Sequence, residues 1–298
     1  MTLTPRAVVV HRPTELAELL ERHGTRGQAA FFLSSRGRDL EEVEERHELQ
    51  AAAIRTVTAA IPVDWRRGSV TRADLPRFMF EPEDVVLVVG QDGLVANVAK
   101  YLRGQLVIGV DADPSRNPGV LVRHSPMAAA LLLGSPGAPS SLRFEERTMV
   151  EAVVDDGQRI RALNEIFVGQ PSHQTARYAL ALDDGRTERQ ASSGLIVSTG
   201  TGATGWCRSI SLERRSQTPL PAPTDELLAW FVREAWPSPV SGVVLTEGCL
   251  RRGEGLGLTI ESDRLVAFGD GIESDAIGLT WGQRVRLNIS DQTLRLGV

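Results

Sequence analysis

The first residues that could carry chemistry form the turn Gly90-Gln91-Asp92-Gly93, which follows an apolar run at residues 84–89. In open parallel sheets, ligands bind beyond the carboxyl ends of the strands. Glycines there let the backbone approach a phosphate, and the amides at the start of the next helix attract anions. A carboxylate beside phosphates can act as a general base or hold Mg²⁺, and both roles are open to Asp92. The four residues alone favour a plain tight turn in which Asp92 caps the following helix.

A second polar feature is the pair Asn164-Glu165, which lies inside an apolar run that predicts a strand over residues 160–168. Adjacent side chains of a strand point to opposite faces of the sheet. One face of this strand is therefore expected to meet a cleft. An edge strand whose polar groups face solvent explains the pair equally well.

A third segment, Ser198–Trp206, alternates three glycines with four hydroxyl-bearing residues. Its amides and hydroxyls suit a polar ligand, and Trp206 offers a face on which a purine or pyridine ring can stack. The segment lacks the Gly-Lys-Ser/Thr that would make it a P-loop. Because binding residues concentrate on loops, we expect so uniform a loop to bind a ligand.

A fourth segment, Phe268–Ile272, carries Asp270 between two glycines at the end of a predicted strand. A turn is the favoured interpretation, and a position of Asp270 near a phosphate or a metal is the less favoured one. The five histidines are scattered, and none stands at metal-ligand spacing from a cysteine or an aspartate. The sequence therefore predicts no metal bound directly by the protein.

The elements that must position these residues begin as alternating strands and helices. Continuous apolar strands that alternate with helices are typical of a parallel α/β sheet. We expect Thr14 and Gly24 to cap the first helix. The predicted strands are 7–10, 84–89 and 106–110, and the predicted helices are 14–23, 39–60 (with Val43, Leu49, Ile54 and Val57 on its apolar face) and 94–102.

The second half of the chain is rich in strands. Asp155-Asp156-Gly157 and Asp183-Asp184-Gly185 are typical of hairpin turns. A proline-rich insertion near 214–224 is expected to lead into an apolar helix at about 225–236. The other predicted elements of this half are strands at 149–154, 160–168, 177–182, 194–199, 243–246, 256–260 and 265–268.

Two domains follow from this change of pattern. We predict a Rossmann-like α/β domain over residues 1–138 and a β-sandwich-type domain over residues 139–298. The Gly/Pro/Ser stretch near 135–141 is the best candidate for a linker. A chain of 298 residues is long enough for two domains.

Composition narrows the partners. The net charge is −5, Lys100 is the only lysine, and no dense cationic run exists, so nucleic acid is not an expected partner. Cys207 and Cys249 lie far apart without metal-ligand spacing, which excludes a disulfide scaffold and fits a reducing cytoplasm. The apolar run at residues 7–10 is too short for a signal or transmembrane segment, so no membrane is expected.

In this order, the segments resemble the NAD kinase family. The family's Gly-Gly-Asp-Gly-Thr motif corresponds to Gly90–Leu94, and its Asn-Glu pair corresponds to Asn164-Glu165. Its Thr/Gly/Ser-rich loop corresponds to Thr199–Trp206, and its late Asp-Gly corresponds to Asp270-Gly271. Together these ordered motifs are specific, although any one of them alone is not.

Further segments are similar to the mitochondrial-type branch of that family and its bacterial relatives. They are Glu45-Arg46-His47, Ile108–Pro114, Ala162–Gly169 and Ser192–Leu195, the last being followed by the Thr199 loop and its tryptophan. The similarity spans roughly residues 84–275 and, more weakly, the N-terminal part.

The resemblance implies a fold of the NAD kinase/diacylglycerol kinase type and an ATP-dependent phosphorylation of the adenosine ribose of NAD. Asp92 would take the proton from the 2′-hydroxyl. Gly90, Gln91, Gly93 and Thr199 would meet phosphates. Mg²⁺ would enter with ATP, because phosphoryl transfer depends on positioning and on neutralising charge.

The resemblance also assigns NAD-binding residues. Asn164 and Glu165 would bind the hydroxyls and the adenine of NAD. Thr201, Thr204 and Gly205 would line the dinucleotide pocket, and Trp206 would replace a tyrosine common in the family. Ser193, which stands where much of the family has Asp, and Asp270 are accessory candidates. Because family members commonly self-associate, a homodimer is expected.

Two departures from the family motif leave alternatives open. Gln91 replaces a glycine and Leu94 replaces a threonine. A catalytically altered or inactive homologue that binds NAD or NADP is therefore one alternative. A related kinase acting on another hydroxyl substrate, such as a lipid or a sugar, is another, although Asn164-Glu165 and the Trp206 loop argue against it. ATP and polyphosphate are both open as the donor, and NAD and NADH as the acceptor.

Overall fold

The computed structural model describes residues 4–114, 116, 119–135, 138 and 142–298. The strands of these residues, in chain order, are β1 Arg6–His11, β2 Arg66–Thr71, β3 Asp84–Gly90, β4 Leu106–Asp111, β5 Phe144–Arg147, β6 Val150–Val154, β7 Arg159–Ala162, β8 Glu165–Gly169, β9 Ala176–Leu182, β10 Thr187–Ser192, β11 Leu195–Ser198, β12 Leu227–Val232, β13 Glu247–Arg251, β14 Gly255–Ile260, β15 Leu265–Gly269, β16 Ile272–Leu279, β17 Arg284–Ile289 and β18 Leu294–Gly297. The α-helices are α1 Glu15–His23, α2 Arg26–Ser34, α3 Leu40–Ala60, α4 Asp92–Ala99, α5 Pro126–Leu133 and α6 Trp206–Arg214, with shorter 3₁₀ turns at Arg72–Arg77 and Gly202–Thr204.

The chain divides into two compact units, the first Met1–Glu145 with Arg295–Val298 and the second Glu146–Leu294. Most of the linker predicted near 135–141 lies outside the described residues, as does residue 139, where we placed the start of the second domain. The structure divides the chain after Glu145 and returns the last four residues to the first unit.

The first unit is built on a six-stranded sheet of order β2-β1-β3-β4-β18-β5. Its pairs β1–β2, β1–β3, β3–β4 and β4–β18 are parallel. β3 and β4 are buried along nearly their whole length, as expected for strands covered on both faces. On one face, Ala53 and Val57 of α3 and Ala129 and Leu133 of α5 pack against the strands. The predicted parallel α/β sheet is confirmed.

The second unit consists of two antiparallel sheets, β10-β9-β14-β17-β6-β7 and β13-β12-β11-β8-β15-β16. Alternate residues of both sheets share one buried core, which joins Tyr178 and Leu180 of one sheet to Val197 and Trp230 of the other. This is the arrangement of a sandwich, in which the inner faces interdigitate. The predicted hairpin turns at 155–157 and 183–185 connect β6 to β7 and β9 to β10.

Three predicted elements of the second half are wrong. The helix expected at about 225–236 is the strand β12, an inner strand whose last five residues are buried; a short apolar run has no period that separates helix from strand. No strand forms at 243–246, and the paired segment starts at Glu247. The strand expected at 160–168 is broken into β7 and β8.

The two caps predicted for the first helix are confirmed. Thr14 caps α1 by accepting a hydrogen bond from Ala17 N, and Gly24 ends the helix at φ +77°. In α3, Val43 and Val57 are buried as predicted, whereas Leu49 is exposed, so the apolar face of that helix was placed partly wrongly. Among the described residues, no helix combines the length and the apolar character that crossing a bilayer requires.

Candidate functional site

The turn at Gly90–Gly93 lies at the carboxyl end of β3, as its sequence predicted. Gly90 has φ +154°, which side-chain-bearing residues rarely adopt. Gln91, in contrast, has φ −118° and ψ 162°, an ordinary extended conformation. The glutamine that replaces the family's glycine therefore imposes no backbone strain. Leu94, the second departure, is buried in the first unit.

Asp92 is the first residue of α4, and its carboxylate binds backbone amides of a distant segment rather than capping the helix. Oδ1 accepts hydrogen bonds from Leu121 N at 2.8 Å and Val122 N at 2.9 Å. Oδ2 accepts one from Val120 N at 2.8 Å. A carboxylate offers about four acceptor positions, so one position remains, on Oδ2. Asp92 thus fixes residues 120–122 and still has a lone pair for chemistry.

Two further carboxylates lie at the carboxyl end of β4, Asp111 as its last residue and Asp113 just after it, and our site prediction did not include them. Asp111 is buried, and its Oδ1 accepts a hydrogen bond from Asp113 N at 2.9 Å. Burial raises the pKa of Asp111, the amide hydrogen bond of Asp113 opposes this rise, and the charges of Asp113 and Asp92 add to it. Three acidic side chains therefore face the same edge of the sheet. Within the part of the chain that the structure describes, no group of three or more His, Cys, Asp or Glu side chains could hold a metal ion.

A cleft of about 580 Å³ surrounds the turn, entirely within the first unit. That volume lies in the range of sites for small molecules. Its walls come from the β1–α1 loop, α1, α3, the Gly90–Gly93 turn and the segment after β4. Three arginines line it, namely Arg12, Arg46 and Arg116. The cleft therefore combines an acidic group at the strand ends with cationic side chains suited to an anion.

In the second unit, Asn164 lies in a bend between β7 and β8, not inside a strand, which corrects our prediction. The argument from opposite sheet faces therefore does not apply to Asn164-Glu165. Asp270 causes the bend: its Oδ1 accepts from Asn164 N at 2.7 Å, and its Oδ2 accepts from Leu163 N at 3.1 Å. Asp270 itself occupies a left-handed turn, with φ +55°, followed by Gly271 at φ +67°. The favoured interpretation of Asp270 as a turn residue is confirmed.

Glu165 begins β8 and is half-buried beside Asp270. Burial raises the pKa of Glu165 to about 7, and the negative charge of Asp270 contributes to the rise. A carboxyl group in this state is protonated in part of the molecules at neutral pH, so it can donate a hydrogen bond as well as accept one.

The Thr199–Trp206 loop follows β11 and is anchored to the Asn164 bend. Thr199 N donates to Asn164 O at 2.9 Å, and Thr199 Oγ1 donates to Leu163 O at 2.5 Å. A side chain at Gly202 would lie 2.2 Å from Asn164 O, so only glycine permits this approach. The predicted loop and the predicted Asn-Glu pair therefore form one structure. β8 starts, and β11 and β15 end, at the same edge of this sheet.

The remaining loop residues differ in exposure. Thr204 and Gly205 are exposed, whereas Thr201 is buried, and its Oγ1 has no hydrogen-bond partner among the described residues. Trp206 is half-buried, stacks on Phe167 with ring centroids 5.8 Å apart, and carries the Arg233 guanidinium 5.2 Å from its ring centroid. The tryptophan face is thus already partly occupied by protein groups.

Ser193 does not join this cluster. It is exposed in the turn before β11, whereas Thr199 follows the other end of that strand. Four strand residues separate the two ends by roughly 13 Å. The structure therefore groups Asn164, Glu165, Asp270 and the Thr199 loop in the second unit, and Asp92 with Gly90, Gln91 and Gly93 in the first.

Arg12 and Asp111 are two of the cleft residues that our site prediction did not include. Both follow predicted strands, β1 and β4, which neighbour β3 in a parallel sheet. The carboxyl ends of parallel neighbours share one edge. That rule could have collected both residues around Asp92.

No protein-family model matches the chain. A rat protein named "NAD kinase 2, mitochondrial" is 30% identical over a region that covers 43% of this chain and 40% of the rat protein. The chain thus spans less than half the length of the curated relatives that it matches.

Two solved structures share the fold. A yeast NADH kinase complexed with NADH matches with a TM-score of 0.63 at 13% identity, covering 100% of this chain and 84% of the yeast chain. An NAD kinase from Archaeoglobus fulgidus in complex with ATP matches with a TM-score of 0.57 at 17% identity, covering 98% and 92% of the two chains. These two matches confirm the predicted fold. The similarity to NAD kinases in sequence rests on the curated relatives.

Proposed function

We propose that this chain, which resembles NAD kinases in sequence and in fold, transfers the terminal phosphoryl group of ATP to the adenosine ribose 2′-hydroxyl of NAD. The observation that carries the proposal is the anchoring of the Thr199–Trp206 loop on the Asn164-Glu165 bend, through Thr199 and Asp270. It joins the two sequence motifs that the family resemblance assigned to the dinucleotide.

We assign NAD binding to the second unit. Glu165 and the Asn164 side chain supply hydrogen bonds for ribose hydroxyls and adenine, and the exposed Thr204 and Gly205 offer a hydroxyl and an amide. The raised pKa of Glu165 supports this role, because a partly protonated carboxyl can pair with either a donor or an acceptor. Trp206 is assigned to the same pocket, although Phe167 and the Arg233 guanidinium already contact its ring.

We assign the chemical step to Asp92 in the first unit. Oδ2 accepts one amide hydrogen bond and Oδ1 accepts two, so Oδ2 is the oxygen that takes the proton of the 2′-hydroxyl. The bond from that ribose oxygen to the γ-phosphorus forms as the bridge from the γ-phosphorus to the β-phosphate oxygen breaks. ADP leaves, and the proton passes from Asp92 to solvent.

Mg²⁺ is proposed to enter with ATP. Asp92 is engaged by three amides and Asp111 by the amide of Asp113, so neither carboxylate is free to serve as a dedicated metal cage. Mg²⁺ in phosphoryl-transfer sites is commonly held by one or two carboxylates together with substrate phosphates. When bound, the ion neutralises charge on the phosphates, and this chain's residues orient them.

Purified protein, ATP, Mg²⁺ and NAD test the proposal directly. NADP should appear in proportion to enzyme and time, as measured by an NADP-specific coupled dehydrogenase. Parallel reactions should contain NADH in place of NAD and polyphosphate in place of ATP. Absence of NADP in all of them, while a control NAD kinase is active under the same conditions, would contradict the proposal.

A second candidate function is a non-catalytic NAD- or NADP-binding protein. The observation that favours it is the engagement of Asp92 by three backbone amides, a structural role that could explain this residue without catalysis. Calorimetry distinguishes the two functions. Binding of NAD or NADP without turnover supports the second, and binding with turnover supports the first.

Two finer expectations remain proposals. We propose a homodimer, which sedimentation velocity would test. We also propose a cytoplasmic location, which rests on the free thiols of Cys207 and Cys249. The rat relative is named as a mitochondrial protein. Imaging of a tagged chain in its own cell would distinguish a cytoplasmic from a mitochondrial location.

A further inference from the structure

The side chain of Gln91 has a defined partner in the phosphate-turn cleft. Its Oε1 accepts a hydrogen bond from Arg12 Nη2 at 3.1 Å. The backbone of Gln91 is extended, so nothing in the turn requires glycine there. Gln91 therefore departs from the family motif without backbone strain. Its side chain can instead orient the guanidinium of Arg12 in the same cleft.

Arg12 is held at the mouth of the cleft by the sheet and by α3. β1 and β3 are adjacent parallel strands, with Val10 opposite Val88, so the residues that follow them lie side by side. The Arg12 carbonyl accepts a hydrogen bond from Gln50 Nε2 at 2.8 Å, which ties the β1–α1 loop to the long helix. Two independent contacts therefore hold the backbone of Arg12, and the hydrogen bond to Gln91 orients its guanidinium.

Arg12 differs from the other two arginines of the cleft in the partner of its guanidinium. Arg46 forms an ion pair with Glu15 at 3.0 Å, and Arg116 forms ion pairs with Glu42 and with further carboxylates. Arg12 forms no ion pair with any described residue. Its partner is the neutral amide of Gln91, which orients the guanidinium without cancelling its charge.

The carboxylates at the ends of β3 and β4 would repel a phosphate chain unless a positive charge lay nearby. Asp92, Asp111 and Asp113 place three carboxylates at the edge of the sheet, where a phosphate chain would meet electrostatic repulsion. A guanidinium has five N–H donors in a planar fork that matches phosphate oxygens, and the contact with Gln91 uses one of them. The remaining donors can bind a phosphate in bidentate fashion.

We propose that Arg12 binds the phosphates of the phosphoryl donor and that Gln91 is a positioning residue that holds the Arg12 guanidinium for this contact. The proposal rests on the proposed kinase function. It explains Gln91, which stands where the family motif has glycine, by its hydrogen bond to Arg12.

Steady-state kinetics of R12M, R12K, Q91M, Q91E and the R12M/Q91M double variant test the proposal, with R55M as the control. R55M removes one exposed arginine charge from α3 of the same unit. Because hydrogen bonds to charged groups are the stronger kind, R12M should raise the KM for ATP by roughly 10- to 100-fold. R12M should leave the KM for NAD within about twofold. R12K, which keeps the charge but loses the fork, should lie between wild type and R12M.

The Gln91 variants separate positioning from a structural role. Q91M keeps the size of the side chain and should raise the KM for ATP by roughly threefold to tenfold, about the value of one lost hydrogen bond. Q91E keeps an acceptor but cancels the charge of Arg12, so it should raise that KM further than Q91M. The double variant should be no worse than R12M alone, because Gln91 acts through Arg12. Additive effects, or a Q91E variant equal to wild type, would overturn the positioning role.

Calorimetry with sodium tripolyphosphate and with Mg·ATP distinguishes failure of this inference from failure of the kinase proposal. If the wild type forms no NADP but binds tripolyphosphate, and R12M does not, the kinase function fails and the phosphate contact stands. If the wild type forms NADP and R12M keeps its KM for ATP, the contact is disproved alone. Binding of neither anion by the wild type would overturn both.

Discussion

Two aspartates of this protein, Asp92 and Asp270, lie in similar turns but have different neighbours. Asp92 follows β3 and Asp270 follows β15, each next to glycines, and each carboxylate accepts hydrogen bonds from amides of a distant segment. Around Asp92 lies a cleft that contains the Arg12 guanidinium, which has no carboxylate partner within the described part of the chain. Around Asp270 lies Glu165, whose pKa it helps to raise. The local sequence Asp-Gly therefore predicts a backbone-binding carboxylate, and only the neighbours separate a candidate base from a structural residue.

The strongest test of that comparison is Asp92→Asn. We expect turnover to fall by about 10²- to 10⁴-fold, the usual contribution of a general base. NAD affinity measured by calorimetry should remain close to that of the wild type, since the NAD-binding residues belong to the second unit. One of the three amides at residues 120–122 loses its acceptor, so a modest fall in thermal stability should accompany the change.

Asp113→Asn is the matched control for charge in the same cleft. If the loss of charge alone explained the effect, both variants would lose comparable turnover. Equal losses would therefore remove the general-base assignment from Asp92, as would full turnover in the Asp92→Asn variant.

Asp270→Asn should act on stability and on the acceptor substrate rather than on the chemical step. One of the two amides, Leu163 N or Asn164 N, loses its acceptor, and we expect the free energy of unfolding to fall by about 2 kcal/mol. The KM for NAD should rise because the Asn164 bend loosens, while kcat at saturating NAD stays within about fivefold. Urea unfolding and initial rates measure these effects; a kcat loss as large as that of Asp92→Asn would erase the contrast between the two turns.

Glu165→Gln sharpens the second half of the comparison through pH. The pKa of Glu165 is about 7 in the folded protein against an ordinary value of 4.5, so the folded state holds a proton that the unfolded state has released. Stability contributed by this group is present below about pH 4.5 and is lost as the pH rises towards 7. The wild type should therefore melt at a lower temperature at pH 8 than at pH 5.5, and the variant should show a smaller difference between these two temperatures.

The exposed Glu213 on α6 provides the control for that experiment. Glu213→Gln should keep the pH dependence of the wild type. A Glu165→Gln variant with an unchanged difference between the two melting temperatures would show that Glu165 is not the group responsible.

Thr201→Val should give the smallest effect. The hydroxyl of Thr201 has no partner among the described residues, so its removal should not lower the melting temperature. If NAD binding brings the hydroxyl into contact with the ligand, the dissociation constant should rise by roughly threefold to tenfold. Thr259→Val, an exposed strand substitution in the same unit, should leave the dissociation constant unchanged; an equally silent Thr201→Val would remove Thr201 from the set of binding residues.

Sequence was informative wherever a residue type has one dominant local use. Thr14 and Gly24 cap α1 as predicted, because a hydroxyl at the start and a glycine at the end of a helix satisfy its unpaired backbone groups. Continuous apolar runs identified β3 and β4 for the same kind of reason. The ordered motifs that carry the family resemblance were also visible in the sequence, since each combines glycines with polar residues in a fixed order, and their roles stay predictions.

Tertiary context decided the rest. The apolar run at residues 227–232 fits a buried helix and a buried strand equally well. It forms the strand β12 because it pairs with β11 on one side and with β13 on the other. Asn164 leaves the strand because Asp270, more than one hundred positions away, binds the Leu163 and Asn164 amides. The contact between Arg12 and Gln91 depends on the adjacency of β1 and β3, which no local pattern encodes.

The place of β18 has a consequence for synthesis on the ribosome. β18 is an inner strand of the first sheet, between β4 and β5, yet Leu294–Gly297 is translated only after the whole second unit. At elongation rates of about 5–20 residues per second, the nascent first unit waits roughly 7–30 s for its missing strand. During that interval the edges of β4 and β5 are unpaired and open to other chains. A nascent-chain chaperone that covers those edges would prevent such pairing until the last strand is synthesised.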